Sequence, residues 1–361
     1  MDLNAACWVV RPGQSYAYYE EFLFGKVAAI GHLDDFISEE TQITVENIKN
    51  IFKEVYINNA NQGLTKHSIA SNLSQVKKFL FEMSIGDLIF TIGEGFIVAG
   101  VITSDAYISE VPISIGKNTA GSNKNDLNFK LRRNVEWGQS YPKERIPLAV
   151  RRSFTANQTV FSTAEHIKYI YHWLNVIFIS NGTVYASSRI NQNQDIHHYS
   201  VTKFSETLNY FEALSILIEE NFYNKNLQDE IDVCNIINRL SSLAEEGSLN
   251  LTTQQLFMSP GDYWTGFSGG NVAIVAFTIA ICCLFNVKPV FANESENKIA
   301  EEIYTPVSTA VDKIRDENNM ELVVGKLELA FPEQNRKVVS KSEELKKVKF
   351  PDVSKSEKGV R

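Results

Sequence analysis

The chain has 361 residues, which corresponds to two or three domains at roughly 150 residues each. Apolar residues make up 44% and charged residues 22%. That balance excludes wholesale disorder and collagen-like repetition. With 35 Lys and Arg against 43 Asp and Glu the formal charge is −8, which excludes a uniformly basic nucleic-acid coat but not a local basic face.

The four cysteines, Cys7, Cys234, Cys282 and Cys283, form no C-x-x-C. This argues against a zinc ribbon or a disulfide framework and for a reducing, cytoplasmic setting. The opening MDLNAACWVVRPG has neither the basic n-region nor the apolar core of a secretory signal.

In chain order, CWVVRPG (7–13) is a short strand stopped by Pro12-Gly13. A helical stretch follows at 18–24, ended by Gly25, and KVAAIG (26–31) is a second strand. Val45, Ile48, Ile51, Phe52 and Val55 recur at helical spacing after Thr44 as a cap, and 71–83 repeats the pattern after Ser71 or Asn72. GDLIFTI (86–92) and FIVAGVIT (96–103), joined through Gly93-Glu94-Gly95, predict a hairpin. Residues 116–128 form a polar loop, 129–137 a strand and 164–178 a helix. Helices follow at 200–223 and 227–246, then a strand within 247–258.

An uncharged run fills 263–287. Residues 294–319 hold seven acids against three bases. Residues 336–361 hold nine bases against four acids with little apolar periodicity, and read as a disordered tail.

The N-terminal pieces have a recognisable order: WVVRPG (8–13), VAAIG (27–31), GDLIF (86–90), GFIVAGVIT (95–103), LRRNVEW (131–137) and RRSFTANQTV (151–160). Over residues 5–165 this resembles the EVE-type, PUA-like domain at the N-terminus of Mrr-like and other modification-dependent restriction proteins. The resemblance implies a small, strongly bent β-barrel that takes an extruded, often modified base into an aromatic-lined pocket. One position departs from the family: His32 stands where a tryptophan commonly follows the A-I-G strand.

On this basis the expected base pocket is Trp8, His32, Trp137 and Phe154, and the expected phosphate contacts are Arg11, Arg133, Arg151 and Arg152. Residues 130–152 add seven bases against two acids, a local +5 suited to a phosphate backbone. Rings among them could each stack a base for about 1–3 kcal/mol. The competing reading makes Trp8 and Trp137 core residues. It also sets Arg132 and Arg133 on opposite faces of a strand, so that at most one meets a phosphate track.

Three further signals stand out in the sequence. Gly266-Phe267-Ser268-Gly269-Gly270 matches G-x-S-x-G, but all six histidines precede Ser268, which breaks the hydrolase order of acid and then histidine after the nucleophile. Glu296-Asn297-Lys298 and Glu344-Leu345-Lys346 have a nuclease-like spacing but no β run in front. Residues 270–287 (GNVAIVAFTIAICCLFNV) approach the roughly 20 apolar residues of a membrane span, and equally fit a buried core helix.

The expected architecture is therefore α+β. A PUA/EVE-like bent β-barrel with helices occupies 1–165, a mainly helical effector or assembly domain with the apolar helix 270–287 occupies 166–335, and a basic tail occupies 336–361. The expected function is a sensor of prokaryotic antiviral defence that binds nucleic acid, modified DNA first, and signals through a non-catalytic effector or a homo-oligomer. Catalysis, cofactor and metal are not required by this reading. Two alternatives remain open: a membrane-anchored or membrane-disrupting effector gated by a small nucleotide and held at the inner membrane by one helix, and an accessory or degenerate modification-dependent nuclease.

Overall fold

A computed structural model describes residues 2–59, 66–115, 126–146, 148–156, 158–223, 231–256, 261–291, 293–331 and 336–347. The chain divides into two units, 3–170 with 335–361, and 1–2 with 171–334.

The first unit begins with β1 (Cys7–Val10), α1 (Tyr19–Gly25), β2 (Val27–Ile30), α2 (Val45–Asn59) and α3 (Lys66–Lys77). Then come β3 (Leu88–Ile92), β4 (Phe96–Ile102), β5 (Tyr107–Ile108), β6 (Leu131–Pro142), α4 (Leu148–Ser153) and β7 (Val160–Ser162). Thr44 caps α2 as expected, its hydroxyl accepting from Asn47 N at 3.2 Å. The helix expected from 71 starts at Lys66 and runs into a π-helical turn at Lys78–Glu82, so Ser71 and Asn72 lie inside it. Most of the expected loop at 116–128 lies outside the described residues.

The sheet order is β2-β6-β4-β3-β1-β7, with β5 beside β6. β1 runs parallel to β3, and the other pairs are antiparallel. β6 curls this sheet into a half-barrel. Its first residues, Leu131 to Asn134, pair with β2, and from Val135 onward it pairs with β4. A register shift between Val98 and Gly100 adds a local bend. Gly100 is required there, because a Cβ would meet Trp137 at 2.6 Å and Val135 at 2.7 Å. Every residue of β1, β2 and β3 is buried, so these strands read as continuous apolar runs rather than alternating ones.

The division between units falls inside α5 (Ile167–Leu174). The second unit then runs β8 (Ile177–Ser180), β9 (Thr183–Ile190), α6 (His198–Asn221), α7 (Val233–Glu246), β10 (Thr252–Leu256), β11 (Gly261–Ser268), α8 (Asn271–Leu284), α9 (Glu294–Glu317), α10 (Met320–Leu327) and β12 (Leu329–Ala330). The unit is mainly helical, as expected, but it also holds a five-stranded sheet, ordered β10-β11-β9-β12 with β8 on β9, of which the sequence predicts only the strand within 247–258. The expected helix over 164–178 ends at Leu174. The next residues enter a hairpin whose two-residue turn, Asn181-Gly182, has φ of 49° and 70°, the doubly positive φ that a twisted hairpin favours.

The uncharged run also divides. Tyr263–Ser268 belongs to β11, Gly269-Gly270 interrupts, and the helix holds 14 residues. At 1.5 Å per residue that is about 21 Å, short of the roughly 30 Å hydrocarbon layer. Eleven of the 14 are buried, and α8 packs against α6 and α9. The buried-helix reading of 270–287 is the one realised. Among the described residues no helix is long and apolar enough to cross a membrane.

The basic tail is corrected in part. Arg336–Lys347 forms α11, which packs on β4 and β6 of the first unit. Val338, Val339 and Ser342 are buried, Ser342 Oγ donates to Gly86 O, and Lys346 Nζ lies 3.5 Å from Asp87. A narrow apolar stripe at helical spacing is enough to seat a segment whose composition is otherwise that of a solvated chain. Residues 348–361 lie outside the described residues.

Candidate functional site

Two loops that leave adjacent parts of the first unit's core meet at one hollow. The first leaves β1 as Arg11-Pro12-Gly13-Gln14-Ser15-Tyr16. The second leaves β2 as Gly31-His32. With Phe129 and Thr159 they line a cavity of about 640 Å³, within the range of small-molecule sites.

Glycine makes this approach possible at two points. A Cβ on Gly31 would meet the Phe129 ring at 2.5 Å, and one on Gly13 (φ 79°) would meet Tyr18 at 2.7 Å. The Tyr18 and Phe129 rings pack edge to face at 4.9 Å. The segment around Phe129 is pinned from both sides. Its carbonyl accepts from Arg132 Nε at 2.7 Å, and the next amide, Lys130 N, donates to Asp34 Oδ1 at 3.0 Å.

The first loop is strained. Ser15 and Tyr16 hold φ of 51° and 61°, left-handed backbone that non-glycine residues adopt rarely and at a cost of about 1–3 kcal/mol each. Such strain persists where the surroundings over-determine it and clusters at ligand sites. Lys143 Nζ sits 4.8 Å from the Tyr16 ring centroid and donates to Glu94 O at 2.9 Å.

Arg11 anchors the rim through Nη2 to Phe154 O (3.2 Å) and Ala156 O (2.6 Å), while its buried Nε has no hydrogen-bond partner among the described residues. Burial holds the His32 imidazole below its ordinary pKa. At neutral pH it therefore presents one N–H donor and one nitrogen acceptor. The lining thus combines two rings, a guanidinium, a neutral imidazole, an amide and hydroxyls. It can stack a planar group and hydrogen-bond its edge.

Of the eight residues expected from the sequence, only Arg11 and His32 line this hollow. Trp8 is buried and donates to Asp87 at 3.0 Å. Phe154 is buried, with its ring 5.3 Å from that of Phe90. Trp137 is half-buried and donates to Phe22 O at 2.9 Å. All three aromatics serve the core, because their polar atoms or faces are already taken.

Arg133 is 1% exposed. Its guanidinium donates to Phe79 O, Leu80 O and Ser104 O at 2.7, 3.0 and 3.1 Å. Burial lowers its pKa to about 10, which leaves it charged at neutral pH. It staples the π-helical turn, and its burial leaves it no surface to offer a phosphate. Arg151 is half-buried and Arg152 exposed, both on α4 and outside the hollow's lining. The basic run does not make one face, since Arg132 is also buried and Lys130 pairs with Glu110 at 3.0 Å.

Tyr16 and Phe129 were not singled out by sequence. The available signals were Pro12-Gly13 and Gly31, glycines at strand ends where backbone and ring approach closely.

Ser268 does sit between a strand and a helix, but its hydroxyl pairs with Thr183 at 2.8 Å rather than with a histidine. Glu296 and Lys298 lie on α9, and Glu344 and Lys346 on α11, where the nuclease arrangement needs strands. The second unit holds a larger hollow of about 1370 Å³ near Phe285, Arg315 and Phe331. There Arg315 already faces Asp312 and Asn286 at 3.9 and 3.4 Å.

The molecule is thus a two-unit α+β protein with a loop-lined aromatic hollow on its curled sheet. Comparison with family models, with curated proteins and with solved structures finds no match for this chain.

Proposed function

We propose that the first unit is a nucleic-acid reader whose hollow takes a single extruded base, modified DNA being the first candidate ligand. In this reading the chain acts as a sensor in antiviral defence, with the second unit as its effector or assembly module. The observation that carries the proposal is the convergence of Arg11, Tyr16, His32 and Phe129 on one cavity at the ends of the WVVRPG and VAAIG strands. Those strands also carry the similarity to EVE-type domains. Extruding a base costs a few kcal/mol, and stacking on one or two rings offsets that at about 1–3 kcal/mol per base. Arg11 at the rim suits the phosphate that accompanies the base.

The test uses the full chain and short duplexes with a central cytosine, 5-methylcytosine, 5-hydroxymethylcytosine or N6-methyladenine. Binding to at least one duplex, lost in Phe129→Ala and in His32→Ala with the fold retained, is the expected result. Binding that survives both substitutions places the ligand elsewhere.

A further inference from the structure

A second hollow of about 720 Å³ adjoins the first and shares Ser15 and Tyr16 with it. Its other walls are Tyr19, Glu94 and Phe96 from α1 and the β3–β4 hairpin, and Ser140 from β6. Phe96 is a large aromatic left 46% exposed. The Tyr19 ring lies flat on Gly93, three of its atoms 3.1–3.2 Å from where a Cβ would stand. Its hydroxyl pairs with Ser140 Oγ at 3.0 Å.

The two hollows differ in charge. Arg11 lines the first, which has no carboxylate among the described residues of its wall, while Glu20 and Glu94 line the second. Lys143 stands by the shared wall, its ammonium over the Tyr16 ring.

We infer that the site takes two successive unpaired nucleotides rather than one isolated nucleotide. This rests on the base-binding reading of the first hollow. The neighbouring base enters the second hollow and stacks on Phe96, and Lys143 meets the phosphate that links the two. Two carboxylates repel a phosphate in that hollow but accept hydrogen bonds from a base. An amine-bearing base, adenine, cytosine or guanine, is therefore preferred there over thymine. The strained Ser15–Tyr16 turn is the partition between the two positions.

The experiment compares two probes on the full chain: single strands carrying the bases of the duplex panel, each flanked by adenine or by thymine, and the matching free nucleoside monophosphates. Phe96→Ala is expected to weaken the oligonucleotides about tenfold, within what one stacked base contributes, and to leave the monophosphates unchanged. Glu94→Gln is expected to narrow the preference for adenine over thymine flanks. Unchanged thermal unfolding of both variants excludes misfolding.

If Phe96→Ala and Glu94→Gln leave oligonucleotide binding intact while Phe129→Ala abolishes it, the second position is overturned and the first stands. If neither probe class binds the unaltered chain while a duplex of the panel does, this inference is overturned and the single-base reading stands; if no duplex binds either, both fall.

Discussion

In the loops around the first unit's hollow, Ser15 and Tyr16 hold left-handed backbone, and Tyr16, His32 and Phe129 stay half-buried. In the second unit α8 buries 11 of its 14 residues, regular from Asn271 to Leu284, with Phe277 stacked on Phe267 at 4.8 Å. The helix is what a chain builds when only burial matters, whereas the loops keep polar edges, exposed ring surface and backbone strain that burial alone would have removed. That difference favours the loops, rather than the helix, as the proposed ligand site, although both stretches stand out in the sequence.

The comparison breaks most sharply in the core. Phe277 has no exposed surface, and Phe277→Ala should cost about 3–5 kcal/mol. Hydrogen exchange of the full chain should show lost protection in peptides from residues 171–331. Retained protection there would mean that α8 is not the centre of that unit's core.

Arg133→Ala comes next. It strands the carbonyls of Phe79, Leu80 and Ser104, and a buried unsatisfied group costs about 1–3 kcal/mol. A loss of about 3 kcal/mol is expected in denaturant unfolding, against less than about 0.5 kcal/mol for the exposed Arg152→Ala. Equal effects would mean that Arg133 is not the staple described above.

Legibility followed the strength of local pattern. The strands at Cys7–Val10 and Val27–Ile30, the hairpin at Gly93 to Gly95 and the long helices were readable because apolar spacing and glycine punctuation agreed. The β8–β9 hairpin is hidden in the sequence although Asn181-Gly182 is a strong turn signal. The apolar run before it extended the preceding helical pattern and concealed the break.

At the site, Arg11 and His32 were readable because each follows a strand end. Phe129 was not, since its role depends on Gly31 lying beneath it, a contact between segments about a hundred residues apart in the chain. Nor was Tyr16, whose left-handed φ has no signature in Ser15 or Tyr16 themselves. The +5 of residues 130–152 misled because charge does not reveal direction. Arg132 and Arg133 both turn inward to backbone carbonyls.

The smallest expected effect tests the loops directly. Burial lowers the His32 pKa, so between that value and the ordinary imidazole value near 6.5 the unfolded chain binds more proton than the folded one. The stability due to a neutral His32 is therefore complete above about pH 6.5 and declines as the pH falls through this window, by at most about 1.4 kcal/mol per pH unit. Asp34 acts with the opposite sign. Burial raises its pKa, so the folded state takes up that proton first and gains stability as the pH falls through the carboxylate range. Subtracting the unfolding free energy of His32→Gln from that of the unaltered chain isolates the imidazole. The difference should be level above pH 7 and shrink on acidification toward about pH 5. A difference that stays level throughout would place His32 in solvent, and the edge of the hollow assigned to hydrogen-bonding a base would lose its neutral donor and acceptor.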